Sequence, residues 1–415
     1  MTNKVVTNTV VTTLFVTKLN AGQLQLGSGG EPNHYFCCLH FCCCSVPEFL
    51  HDIPVRPDCR FYRGDLPCRP NKEHGYLCGD CPVYEPVTKR VLLIKLGAIG
   101  DVIRTTPLLR RLRQEYPGCY ITWLTLTPAI LPQREVDEIL KFDYASALQL
   151  QARHFDIAIN LDKEKEACAL LLHVQAAAKF GYTLRPYDGV AWPINQLAEH
   201  KYLTGIFDQL SISNTKPYVQ EIFELCGFDF RGEEYVFDTH DDKGYDWRAL
   251  PPASAGPRIG LNTGCGDRWT TRLWSTEKWV QLIRALQAAG YAPVLLGGEA
   301  EHPRNLELQA ATGAAYLGTF PLPQFINLMH QMQGIVTQVT MGMHISIALR
   351  KPTILMNNIF NPHEFDLYGR GQLVGPNKQC VCFYRGSCRL GTSCMEDLPA
   401  DKVFAAVRAS VPLGL

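Results

Sequence analysis

Short apolar runs alternate with amphipathic stretches over residues 89–240, and the same alternation resumes after residue 258. Val91-Leu92-Leu93-Ile94 is a continuous apolar run, as expected of a strand covered on both faces. Residues 105–116 place Leu108, Leu109 and Leu112 on one helical face and Arg110, Arg111 and Arg113 on the other, and Pro117-Gly118 stops the helix. The runs 120–126 and 155–161 predict two more strands, and the Leu- and Ala-rich stretch 164–180 predicts a second long helix. Beyond the SAGPR segment, strands are predicted at 259–262, 293–296, 335–339 and 353–356. Helices are predicted at 277–289, closed by Gly290, and at 343–349. Repeated strand–helix units favour doubly wound parallel sheets, and two such series give two domains facing across a cleft. The chain divides into an irregular leader (1–50), a cysteine-rich segment (51–88), a first α/β domain (89–253), a second (254–375) and a cysteine-rich tail ending in a helix (376–415).

The 415 residues exceed one ordinary core, and a 46% hydrophobic share is enough to bury two. Forty basic and forty acidic residues cancel, which argues against an extended nucleic-acid footprint. No stretch has the roughly 18 uninterrupted apolar residues of a membrane helix, and no signal peptide is read at the start. A cytoplasmic location is expected, with peripheral contact at the inner face of a membrane left open.

The sharpest local signal is the strand running into LGAIGDVIRTTP. Gly97 and Gly100 allow a tight turn, and Asp101 falls at the carboxyl end of a parallel strand, where ligands of open α/β sheets bind. Its carboxylate is placed either to accept a proton from an attacking hydroxyl or simply to cap the following helix. The glycine spacing does not complete a dinucleotide fingerprint, which disfavours a dehydrogenase.

VLLIKLGAIGDVIRTTPLLRRLRQEYP resembles the opening of the heptosyltransferase-like proteins of glycosyltransferase family 9. The similarity continues through TGCGDRWTTRLWSTEKWVQLIRALQAAGYAPVLLGGEAE and MGMHISIALRKPTILM, covering roughly residues 89–370. The resemblance implies a GT-B fold, two facing Rossmann-like domains, here with cysteine-rich terminal additions. It also implies inverting transfer of a sugar from a nucleotide-sugar donor, ADP-heptose first among them, to a glycan or glycolipid acceptor. Asp101 matches the family's catalytic base, and no catalytic divalent metal is expected.

On the donor side, Thr263 and Gly264 follow a predicted strand and offer backbone N–H groups to phosphate, with Arg268 and Arg272 adding positive charge. By resemblance, Arg272 stands where the family carries a phosphate-binding lysine. Gly297 and Gly298 line the donor cleft in the same comparison, and Glu299 either caps a helix or binds a ribose hydroxyl. Thr340 and His344 are retained from a family motif at the start of a helix, but Val339 replaces its acidic residue and Met341 its glycine. These two departures also support a rival reading, a noncatalytic nucleotide-sugar or protein-binding module. A nucleotide-sugar epimerase is the other rival, since it would use Asp101 without an acceptor.

Seventeen cysteines cluster toward the ends. Cys59, Cys68, Cys78 and Cys81 form one set, and Cys380, Cys382, Cys388 and Cys394 another, each beside an FYRG tetrapeptide. Either set is expected to ligate structural zinc or an iron–sulfur cluster. The denser run from Cys37 to Cys44 reads as an apolar leader patch.

Overall fold

The computed structural model describes residues 54–239, 245–378, 380–389 and 391–413, without the side chains of Asp267 and Arg268. The leader and its cysteine run, Cys37 to Cys44, lie outside the described residues.

The first sheet contains β1 (Arg90–Ile94), β2 (Tyr120–Thr125), β3 (Glu138–Lys141), β4 (His154–Asn160), β5 (Gln175–Arg185) and β6 (Val190–Pro193), in the order 3-2-1-4-5-6. All pairings are parallel except that of the edge strand β6 with β5. The second sheet contains β7 (Arg258–Asn262), β8 (Ala292–Leu296), β9 (Ala315–Tyr316), β10 (Gly334–Gln338), β11 (Thr353–Met356) and β12 (Gly371–Val374). Its order, 12-11-10-7-8-9, repeats the first arrangement with β7 in the place of β1. Two parallel, doubly wound lobes of GT-B type therefore stand in one chain, each with a crevice where the strand order reverses.

Helices cover both sheets. A short α1 (Arg69–His74) precedes the first lobe; α2 (Ile99–Thr105), α3 (Pro107–Glu115), α4 (Tyr144–Ala152), α5 (Lys165–His173), α6 (Glu199–Thr204), α7 (Asp208–Ser213) and α8 (Tyr218–Leu225) belong to it. The second lobe carries α9 (Thr276–Ala288), α10 (His302–Thr312), α11 (Leu322–His330), α12 (Met341–Ala348) and α13 (Ala400–Ser410). Ser275 caps α9 by accepting from the Lys278 N–H at 3.4 Å. The last helix, α13, packs on the second lobe, where Val403 and Val407 are fully buried with Trp279 and Leu286.

The predicted helix 164–180 is a shorter helix followed by a strand. α5 ends at His173, where Lys179 Nζ donates to the Leu171 and Leu172 carbonyls at 2.8 and 3.1 Å, and β5 then joins β4. The Ala-rich sequence suits a helix by propensity, but an open edge on β4 offers a full ladder of hydrogen bonds, and tertiary pairing wins.

The metal expectation is corrected here. Among the described residues no group of three or more His, Cys, Asp or Glu side chains could hold a metal ion. A structural zinc or cluster site needs four thiolates converging on one point. Cys59, Cys68, Cys78 and Cys81 are free, half-buried thiols in the segment that Arg60 ties to Asp137. Cys380, Cys382, Cys388 and Cys394 are also free of disulfides, and protein groups engage all four, the Cys382 thiol donating to Cys388 Sγ at 3.9 Å. Cys380 accepts from the Cys382 N–H at 3.3 Å, Cys382 from the Arg389 N–H at 3.2 Å, and Cys394 from Asn358 at 3.4 Å. Neither zinc nor an iron–sulfur cluster is assigned to either set.

Candidate active site

The carboxyl ends of β1, β4, β7, β8 and β10 converge on two adjoining cavities. The larger, about 1270 Å³, runs between the lobes and is lined by Gly97, Gly100, Asp101, Lys163, Lys201 and Tyr218 from the first and by Arg272, Thr340 and His344 from the second. The smaller, about 520 Å³, lies in the second lobe against Gly264, Gly297, Gly298, Glu301, Phe320 and Phe325. Ile99, Arg272, Thr340 and Met341 line both, so an elongated ligand could span them.

Asp101 is the third residue of α2, where its carboxylate accepts from the backbone of the N-cap residue Ala98, so it supports the helix start while also facing the cleft. Its Oδ1 is 2.8 Å from Arg104 Nη2, and 36% of its side chain is still exposed to the cleft. Burial pushes this carboxyl up, but the charges of Arg104 and Lys95 and the Ala98 backbone outweigh it and hold the group below the usual carboxylate range. Behind it Lys95 donates to Asp162 and to the Gly97 carbonyl, fixing the β1 turn. Burial raises Asp162 against the pull of that lysine.

Gly100 makes room for the opposite lobe. A Cβ there would sit 2.6 Å from His344 Cδ2, so α2 and α12 approach as closely as they do only because the position has no side chain. Gly264 acts similarly on the donor side, where an added Cβ would lie 1.9 Å from Glu301 Oε1. Glu301 Oε2 accepts from the Gly298 N–H at 2.9 Å, which turns its other oxygen over the smaller cavity's glycine loop. The expected acid, Glu299, instead accepts from Thr319 at 2.5 Å and does not line either cavity. Thr263 is fully buried and bonds Asn305 at 2.7 Å, while the side chain of Arg268 lies outside the described residues.

Arg272 sits where the cavities meet. Its guanidinium donates to the carbonyls of Cys265 and Val339 and, at 3.3 Å, to that of Trp269. Among the described residues no carboxylate pairs with it, and its guanidinium lies over the Phe360 ring, 5.2 Å from the centroid. Burial lowers its pKa, but a guanidinium stays protonated in a protein. Thr340 caps α12 by accepting from the Gly342 N–H at 3.1 Å and also accepts from Asn262 at 3.1 Å. The helix start is thus aimed at the junction, with its dipole favouring negative charge.

His344 stacks on Tyr235, whose hydroxyl is 3.3 Å from Nδ1. Burial, then the nearby Arg104 charge, push the imidazole down to about 3. An unfolded chain takes up that proton near its ordinary pKa, so the contribution of His344 to stability is present above about pH 6.5 and is lost as pH falls toward the folded value. Between about pH 7.5 and pH 5 the loss should be about 2 kcal/mol. Denaturant unfolding of the parent and of H344Q at both pH values tests this, and an equal pH dependence in the two proteins would refute it.

Sequence reasoning missed Lys163 and Lys201. Burial, and then the like charge of Lys201, lower the Lys163 ammonium to about 8. Lys201 is itself paired with Glu221 at 2.6 Å. Both lysines lie on the first-lobe wall, and neither belongs to a glycine motif that would have marked it. Arg104 stands within the quoted opening motif, but its partner Glu364, 2.9 Å away, is 260 residues further on.

Residues 144–389 match the sequence profile of glycosyltransferase family 9 (heptosyltransferase). The match begins downstream of Asp101. Lipopolysaccharide heptosyltransferase 1 of Escherichia coli K12 is 22% identical over 309 residues, spanning 69% of this chain and 92% of that protein. Lipopolysaccharide heptosyltransferase 2 of the same strain is 20% identical over 304 residues, or 66% and 84% of the two chains. Among solved structures, a family 9 glycosyl transferase from Veillonella parvula superposes with a TM-score of 0.57 at 18% identity, covering 78% of this chain and 97% of that one. An E. coli heptosyltransferase solved with ADP gives 0.55 at 18% identity, covering 78% and 100%. No helix among the described residues is long and apolar enough to cross a membrane.

Proposed function

The chain belongs to glycosyltransferase family 9, a family of nucleotide-sugar-dependent glycosyltransferases, and we propose that it performs an inverting transfer with Asp101 as general base. The observation that carries this is an ionised, cleft-facing carboxylate in the same cavity as the Arg272 guanidinium, whose charge no carboxylate among the described residues neutralises. The acceptor hydroxyl oxygen attacks the anomeric carbon, and its proton passes to Asp101. The bond to the nucleotide diphosphate breaks, and the leaving group departs with the electron pair. A base held this acidic does not ionise a free hydroxyl; it takes the proton as the new C–O bond forms and the oxygen becomes acidic. Arg272, the Gly264–Gly266 loop amides and the start of α12 face the place where phosphate charge grows.

The donor occupies the second lobe, residues 254–375. Its nucleobase lies against Phe320 and Phe325, its ribose near Glu301, and its diphosphate at Arg272 and Thr340. Thr340 and His344 shape the sugar end, where Val339 and Met341 replace polar or smaller residues. The acceptor enters from the first lobe, residues 89–253, past Lys163 and Lys201. A solved E. coli ADP-heptose lipopolysaccharide heptosyltransferase makes ADP-heptose the first donor to test, and the lipopolysaccharide heptosyltransferases make a lipopolysaccharide-type glycan the first acceptor class. Proton NMR of the product tests the stereochemistry. An anomeric configuration opposite to the donor's is expected, and a retained configuration would overturn the single-displacement scheme.

A further inference from the structure

Arg104 belongs to neither end of the transfer chemistry, yet it is clamped from three sides. Its guanidinium lies 3.3 Å from the centre of the Tyr218 ring, Nη2 is 2.8 Å from Asp101, and Nη1 donates to Glu364 at 2.9 Å. Glu364 lies in the turn after β11, so the side chain that holds Asp101 in the first lobe is itself held by the second. Only 12% of the Arg104 side chain is exposed, and its fork fits two carboxylates at once in a way that a single ammonium cannot.

We infer that Arg104 is a positioning residue that fixes the Asp101 carboxylate, with Glu364 anchoring it from across the cleft. The inference rests on the reading of Asp101 as base but has its own readout. Other groups also face Asp101: Lys95 with its partner Asp162 behind it, His344 from α12, Tyr218 from α8, and Tyr235 beyond His344; Lys163, Lys201 and Glu221 line the same cavity. Arg104 is the cation in direct contact. Its loss should therefore move the Asp101 titration to higher pH, and with it the acidic limb of the pH–rate profile.

The test is a carbon-13 NMR titration of full-length protein labelled at aspartate carboxyls, with D101N assigning the signal. In R104Q the Asp101 midpoint should rise by about one pH unit or more. A midpoint within a few tenths of the parent's would overturn the inference. Should R104Q not fold, R104K reads the same point kinetically, because it keeps the charge and loses the fork. Its kcat is expected to fall about tenfold with donor KM unchanged, and a parental kcat would overturn the proposal. Full turnover in D101N would sink the base assignment alone, since the R104Q titration still reports whether Arg104 governs Asp101.

Discussion

Replacing Asp101 with Asn is expected to lower turnover by about 10²–10⁴-fold while leaving nucleotide affinity nearly unchanged. Asn keeps the size of the side chain and accepts a hydrogen bond from Arg104 through its amide oxygen, but it cannot take up the acceptor's proton. The Asn amide oxygen can still accept from the Ala98 backbone at the start of α2, so the helix start is little disturbed. The proposed donor pocket lies in the second lobe, where 11 residues line the smaller cavity alone and stand apart from the Asp101 turn: Asn262, Gly264, Cys265, Gly266, Gly297, Gly298, Glu301, Phe320, Leu322, Phe325 and Gly342. The defect should therefore appear in kcat and kcat/KM together, the signature of an interaction made in the transition state. Turnover near the parent's at saturating substrates, with chemistry rate-limiting, would remove Asp101 from the mechanism.

The second large effect is expected at Arg272. Arg272→Gln removes the charge at the junction of the two cavities and should weaken binding of a nucleoside diphosphate by about 10–10²-fold, the loss of a charge-assisted contact. Because phosphate charge grows as the donor bond breaks, kcat should fall as well. R272K keeps a point charge without the fork and should recover only part of the affinity. Calorimetric titration with ADP measures the first effect, and an unchanged affinity in R272Q would contradict the phosphate role. Arg272 also bonds the Cys265 and Val339 carbonyls, so thermal unfolding of each variant must accompany the titration.

Much of the fold is legible in local pattern. The apolar runs at β1, β4 and β8 are buried along nearly their whole length, so their hydrophobicity announced them directly. The 164–180 stretch was not legible, because nothing local says that β4 has a free edge for β5 to fill. In the candidate site, glycines marked the loops but not their reasons. Gly100 accommodates a histidine from the other lobe, and Gly264 accommodates Glu301, two residues beyond the acid the sequence pointed to. Arg104 and Glu364 meet only after both lobes have folded. The cysteine sets misled for the opposite reason, since spacing along the chain says nothing about whether four sulfurs converge in space.

The central claim is that the cleft transfers a sugar, and coupled detection of donor loss and product mass tests it most directly. Purified protein incubated with ADP-heptose, other nucleotide sugars and a panel of glycan acceptors should consume one donor only when an acceptor is present. The acceptor should gain the mass of one glycosyl residue as the nucleotide diphosphate appears in equal amount. Donor converted to an isomer without acceptor, or donor bound and never consumed across the panel, would contradict the account.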